Sequence, residues 1–372
     1  MTKILLLVPK MPKTHQLVRY LEEIDSNAQY TNFGPLCERL EERFLGEFNA
    51  EGRDGFSAIA VSNCTVGLEL ALQATGLEKG SRVLVPSLTF VASATAIVRA
   101  GMVPVFADVD EHTWALTKDI ALKYASLVDA FMPVSTFGYA HDPASWDEVV
   151  RSTQKPVVID AAGAFGNQAP GRLTDVVFSL HATKSFGAGE GGIVVSASAN
   201  RIRKIKQLSN FGIDTSVGLL AEFGTNAKLS EYHAAVGLAM YDMWEEVKVA
   251  RRHMAQMYVQ ELTSTTAKLS FQRKSENGVY PLLPVLLPSC MKAAEVATSL
   301  ASLGIQTRRW YCPPVHEHPA MRDMPFVGSL AVTREIGARI IGLPFHLDLD
   351  LEDIRYVARA VASVVNEAKA RL

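Results

Sequence analysis

Val176-Val177-Phe178-Ser179-Leu180-His181-Ala182-Thr183-Lys184, followed by SFGAGEGG over 185–192 and then Ile193-Val194-Val195, decides the reading of this chain. Two short β-branched apolar runs flank one lysine, and each run reads as a buried strand. The loop between them is rich in glycine, which lets backbone approach a ligand closely. A lysine on a flexible stem, held in such a cleft, is the residue type that forms an imine with an aldehyde cofactor. Upstream lies Val157-Val158-Ile159-Asp160, an acid at the end of another apolar strand. A carboxylate there can hold a pyridine nitrogen protonated and keep the ring an electron sink.

Working outward, strands and helices alternate. Pro35–Phe48 reads as a helix opened by Gly34-Pro35, Phe56–Val61 as a strand and Thr65–Thr75 as a helix stopped by Gly76. Arg82–Val85, Val103–Phe106, Ala130–Val134 and Pro156–Ile159 read as strands, with helices over Phe90–Ala100 and around Ser145–Arg151. This order predicts an α/β domain with a mostly parallel, mixed sheet. Ligands sit beyond the carboxyl ends of such strands. The Asn63–Thr65 segment, Asp160 and Lys184 all fall there. A long helix is expected from Leu229 to about Leu262, bent near Trp244. Strands over Tyr280–Leu287 and Ile305–Thr307, a helix over Ala293–Leu303 and a terminal amphipathic helix over Leu351–Leu372 complete a smaller α+β domain. The expected division is residues 1–245 for the large domain and 246–372 for the small one.

The 372 residues suffice for two cores, and 48% hydrophobic with 20% charged residues is globular rather than disordered. A net charge of −2 without long charged runs argues against nucleic acid or a membrane surface as partner. The four scattered cysteines, Cys37, Cys64, Cys290 and Cys312, show no metal-ligand spacing, so no metal site is expected and a reduced, cytoplasmic setting is. No segment reaches the roughly 20 apolar residues that span a bilayer.

Several site residues have two readings. Ser62-Asn63-Cys64-Thr65 precedes a helix, so Asn63 or Ser62 reads as its N-cap, and the free amides beside the Thr65 hydroxyl read as a phosphate cradle. Ser179 reads as a buried strand serine or as a second phosphate donor. Phe90 reads as core or as a stacking face. His181 reads as a hydrogen-bonded histidine without metal spacing, and Glu190 has no unique reading from its chemistry.

The chain resembles the DegT/StrS-type nucleotide-sugar aminotransferases, which are fold type I pyridoxal-phosphate enzymes. The resemblance runs from Tyr30-Thr31-Asn32-Phe33-Gly34-Pro35 through SNCTVGLEL (62–70), VPSLTFVASA (85–94), VFADVD (105–110) and IDAAGAFG (159–166). It continues through FSLHATKSFGAGEGG (178–192), GTNAKLSEYHAAVGL (224–238), GIQTRRWYCPPVH (304–316) and Leu343-Pro344. It implies that Lys184 carries the cofactor and moves the substrate proton, and that Asp160 pairs with the ring nitrogen. It implies that Phe90 stacks on the ring. Asn63, Cys64, Thr65, Ser179 and His181 would contact the cofactor, and Asn226 would reach its phosphate from the neighbouring subunit of a homodimer with shared active sites. Phe33, Glu190, Trp310, Tyr311 and His316 would touch substrate.

The chain departs from the family pattern at Cys64, where the family often has Gly or Ala, and at Gly163, where a side chain often touches the cofactor's phenolic oxygen. His181-Ala182-Thr183-Lys184 followed by Glu190-Gly191-Gly192 resembles the enzymes that aminate C-4 of a nucleoside-diphosphate-linked 4-keto-6-deoxyhexose, with glutamate as donor and 2-oxoglutarate as by-product. A C-3 or keto-inositol aminotransferase and a non-enzymatic regulator of the same fold are the alternatives.

Overall fold

The computed structural model describes residues 3–49 and 55–370. Strand β1 spans Ser57–Val61, β2 Arg82–Pro86, β3 Val103–Ala107, β4 Ala130–Phe131, β5 Val158–Asp160, β6 Asp175–Ser179 and β7 Gly192–Ser196. They lie in the orders β3-β2-β4 and β1-β7-β6-β5. Bridges from Phe131 to Val157 and from Val134 to Asp160 join both parts into one sheet. β7 runs antiparallel to β6 and to β1, while β2–β3, β2–β4 and β5–β6 are parallel.

The continuous apolar runs are explained by burial on both faces, as for any parallel sheet covered by helices. Val176 and Phe178 of β6 point into one core with Leu36, Phe44 and Leu238, and Val177 points into the other with Leu68 and Ile97. The helix Pro35–Asn49 starts where it does because the buried Glu231 carboxylate accepts from the Leu36 and Cys37 amides at 2.8 and 2.9 Å. A Cβ at Gly34 would stand 2.6 Å from that carboxylate, so glycine is required before the proline.

A separate core gathers Met254, Tyr258, Val285, Leu300, Ile341 and Val361, together with Ile4 from the N-terminal segment. Its framework is the antiparallel pair Leu283–Leu286 and Ile340–Leu343, with the helices Ala293–Ser302 and Leu351–Ala370. A boundary near residue 245 is a proposal that rests on this separation of cores, and Ile4 packs on its C-terminal side. Residues 371–372, the expected end of the terminal helix, lie outside the described residues, as do 1–2 and 50–54 within the expected large domain.

Local departures have local causes. The expected helix over 229–262 is two helices, Glu231–Asp242 and Trp244–Thr263, broken at Met243. The break lets Trp244 stack on Phe165 at 5.2 Å. The strand expected over 280–287 shortens to Leu283–Leu286, because Pro281 has no donor and the Tyr280 carbonyl is taken by the Arg251 guanidinium. Over 305–307 only Ile305 bridges, to Ile4, and Arg308 bridges to Gly342. Helices over Thr14–Asn27, Lys118–Lys123, Ala199–Ser209 and Ala331–Arg339 add to the expected set. Among the described residues no helix is long and apolar enough to cross a membrane.

Candidate active site

Parallel strands deliver their carboxyl ends to one edge, and the register there is level. Val61 pairs with Gly192, and Gly192 pairs with Ser179. The turn after β1, the glycine of β7 and the last residue of β6 therefore meet. A cavity of about 640 Å³ opens at this edge, closed from the other side by Pro281, Leu282 and Arg308. Asn63, Cys64, Thr65, Phe90, Asp160, Ser179, His181, Lys184, Glu190, Trp310 and Tyr311 all line it.

Lys184 sits in a loop closed by its own backbone. Leu180 N–H donates to Gly191 O, Ala188 N–H to Leu180 O and Ala182 N–H to Gly189 O, at 2.7–2.9 Å. Gly189, at φ +85°, makes the reversal that a side-chain-bearing residue rarely adopts. Thr183 N–H donates to His181 Nδ1 at 3.2 Å, so the ring's proton belongs on Nε2, which faces Glu190 at 3.7 Å.

Asp160 is 4% exposed, and burial pushes its carboxyl up from the usual range. Three contacts oppose that shift: Ser93 Oγ donating at 2.6 Å, Ala162 N–H donating at 3.1 Å, and the positive charge of Lys184. Ser93 also meets Thr89 Oγ1 at 2.8 Å. Because the one serine proton goes to Asp160, Thr89 is the donor in that pair. The result is a relay, Thr89 to Ser93 to Asp160, that steadies a buried anion. Sequence reading missed Ser93 and Thr89. Their signal was present: Ser93 lies three residues after Phe90 on a helix that opens at the same edge.

The helix Cys64–Gln73 is N-capped by Asn63, whose side chain accepts from Val66 N–H at 2.9 Å. Its first amides, Cys64 and Thr65, have no intrahelical acceptor, and both residues line the cavity. Ser179 accepts from His181 N–H at 3.2 Å and keeps its own proton to donate. A Cβ at Gly192 would fall 2.8 Å from Cys64 N, so glycine alone lets β7 pass beneath this turn. Bare amides, a threonine hydroxyl and a serine proton around one hollow are a donor set for phosphate. Burial and Asp160 push the Cys64 thiol well up, which keeps it a neutral wall rather than a nucleophile.

Phe90 is 52% exposed although it lines the cavity, so one ring face is open. Tyr311 lies 6.2 Å away and stacks on Phe137 at 5.2 Å, with Trp310 beside it. Phe137 is a further wall residue that sequence reading missed. Gly163 also lines the cavity, and a Cβ there would stand 3.2 Å from the Pro281 ring.

Phe33, Asn226 and His316 do not line this chain's cavity. Phe33 lies under Lys206, 4.6 Å from its ammonium. His316 bonds Ser87 Oγ through Nδ1 at 2.5 Å instead. Asn226 is exposed and bridges Asn210. Among the described residues no cluster of three or more metal-ligating side chains occurs.

Lysine, buried aspartate, open aromatic face and phosphate cradle at one sheet edge define a pyridoxal-phosphate enzyme of the fold type I class. The model of the DegT/DnrJ/EryC1/StrS aminotransferase family matches residues 13–362, and the chain belongs to that family. It is similar to the dTDP-4-amino-4,6-dideoxy-D-glucose transaminase of Shigella dysenteriae, 29% identical with 96% of this chain and 97% of the relative covered. The GDP-perosamine synthase of Escherichia coli O157:H7 is 27% identical over 92% of this chain and 93% of its own. Among solved structures, a putative PLP-dependent aminotransferase from Bacillus cereus superposes with a TM-score of 0.91 at 29% identity, covering 96% and 99% of the two chains. DesI, solved in the presence of its TDP-sugar product, gives 0.88 at 29% identity, covering 100% and 96%. The protein is an aminotransferase, and pyridoxal phosphate is its cofactor.

Proposed function

We propose that this enzyme transfers an amino group from glutamate to C-4 of a nucleoside-diphosphate-linked 4-keto-6-deoxyhexose. The observation that carries the reading is the placing of Lys184 and Asp160 in the wall of one cavity, beside an open aromatic face. Pyridoxal phosphate supplies an aldehyde for the amine and a ring that accepts electrons. Asp160 holds the proton at the ring nitrogen, and Ser93 holds Asp160. The Lys184 amine moves the proton at the reacting substrate carbon. The Cys64 and Thr65 amides, with Thr65 and Ser179 hydroxyls, hold the phosphate, and Phe90 covers the ring. Trp310 and Tyr311 face the sugar from the small domain, and His181 and Glu190 stand next to the lysine.

Regiochemistry at C-4 is supported by the loop His181–Lys184 with Glu190-Gly191-Gly192 and by the 4-amino sugar in the name of the Shigella relative. A dimer with shared sites is part of the proposal. Asn226 faces outward, beside an exposed apolar run with Leu219 66%, Leu220 60% and Phe223 93% accessible, which a second copy would cover. The test is to offer the amine-loaded enzyme a panel of nucleotide keto sugars and assign the product by NMR. Nitrogen at C-4 is the expected outcome; nitrogen at C-3, or amination of a keto-inositol alone, replaces the reading.

A further inference from the structure

Of the charged side chains lining the cavity, Asp160 and Lys184 serve the cofactor, and His181 and Glu190 face each other. Arg308 is left. It is exposed to the cavity and makes no ion pair or side-chain hydrogen bond to a partner among the described residues. It is nonetheless held. Its backbone bonds reciprocally with Gly342, at 3.2 and 2.6 Å. Its guanidinium carbon lies 4.5 Å from the centre of the Trp310 ring. A Cβ at Gly342 would fall 2.3 Å from Trp310 Nε1, so the indole rests on bare backbone and the guanidinium rests on the indole. Stacking fixes a guanidinium by its face and leaves its N–H edges to bind an oxyanion in forked geometry.

We propose that Arg308 is the anion-binding residue of the substrate pocket, taking a carboxylate of the amino donor or the diphosphate of the nucleotide sugar. The identity of those two substrates rests on the proposed function; the anion site itself does not. The phosphate cradle lies on the sheet side of the cavity, whereas Arg308 belongs to the small domain, so the two sites do not compete.

The test titrates holoenzyme with 2-oxoglutarate in one arm and with dTDP or GDP in the other, by calorimetry. Arg308→Gln should weaken one arm or both by about ten- to hundredfold, as expected for losing a charge-assisted pair. Arg308→Lys should fall between Gln and wild type, and cofactor absorbance should not change in either. Loss in the first arm assigns the donor carboxylate, and loss in the second assigns the diphosphate. Affinities within about twofold of wild type in both arms overturn the proposal, as does wild-type holoenzyme that binds neither probe. Neither arm reads turnover, so a Gln variant that loses affinity in an enzyme rejecting every nucleotide keto sugar overturns the substrate reading alone.

Discussion

Ser93→Ala is the perturbation that separates a tuned carboxylate from a merely buried one. Asp160 is buried, and burial alone raises its carboxyl; the 2.6 Å bond from Ser93 is the first of the contacts that lower it. Removing a hydrogen bond to a charged acceptor costs about 1.5–3 kcal/mol, or roughly ten- to hundredfold in any equilibrium that depends on the charge. The sign follows from the chemistry. In the proposed mechanism the ring nitrogen needs Asp160 ionised, and the variant moves that carboxyl further up. The acid limb of the glutamate half-reaction should therefore move to higher pH, and its plateau rate should fall by about ten- to hundredfold. Stopped-flow spectroscopy of the cofactor band across pH reads both, with circular dichroism as the folding control. Thr89→Val should do less, because Thr89 reaches Asp160 only through Ser93. An unchanged plateau and an unchanged acid limb in Ser93→Ala would refute the relay.

Three other outcomes are expected. Gly192→Ala drives a Cβ to within 2.8 Å of Cys64 N and should speed cofactor loss by roughly tenfold or more, measured as decay of bound absorbance after dilution. Burial pushes His141 down to about 4 while its Nε2 donates to Val134 O at 2.9 Å, so the folded chain keeps it neutral where the unfolded chain takes a proton. Stability should then fall as pH drops from about 6.5 towards 4, by up to roughly 3 kcal/mol from this group, and urea titrations of His141→Gln should show a smaller drop. Mixing inactive Lys184→Ala subunits with Asn226→Ala subunits tests shared sites, because one hybrid site would then carry Lys184, Ser179 and the partner's contribution intact. Activity should partly return if Asn226 serves the partner, whereas hybrids that form without regaining activity place it in its own chain's site.

The sheet and its lysine loop were legible because both faces of the sheet are covered, so the strands are written as unbroken apolar runs such as Val176–Phe178 and Ile193–Val195. Asp160 and Lys184 were legible for the same reason, standing where those runs stop. Trp310, Tyr311 and Phe90 came from family resemblance, since an aromatic beside a strand end is more often core. What sequence could not give was pairing at a distance. Ser93 is an ordinary helix serine until β5 brings Asp160 beside it. Arg308 is an ordinary surface arginine until Gly342 seats Trp310 beneath it. His316 shares its motif with Tyr311, yet its ring is taken up by Ser87 and does not line the cavity. The helix Ala199–Ser209 did leave a trace, with Ile202, Ile205 and Leu208 buried along one face of an otherwise charged segment.

Borohydride reduction of the purified holoenzyme, followed by peptide mapping, reads the site most directly. Lys184 should carry the reduced cofactor and no other lysine should, and Lys184→Ala should bind cofactor without trapping it and without transaminating. A label on any other lysine, or turnover retained in Lys184→Ala, would contradict the site built here around Lys184 and Asp160.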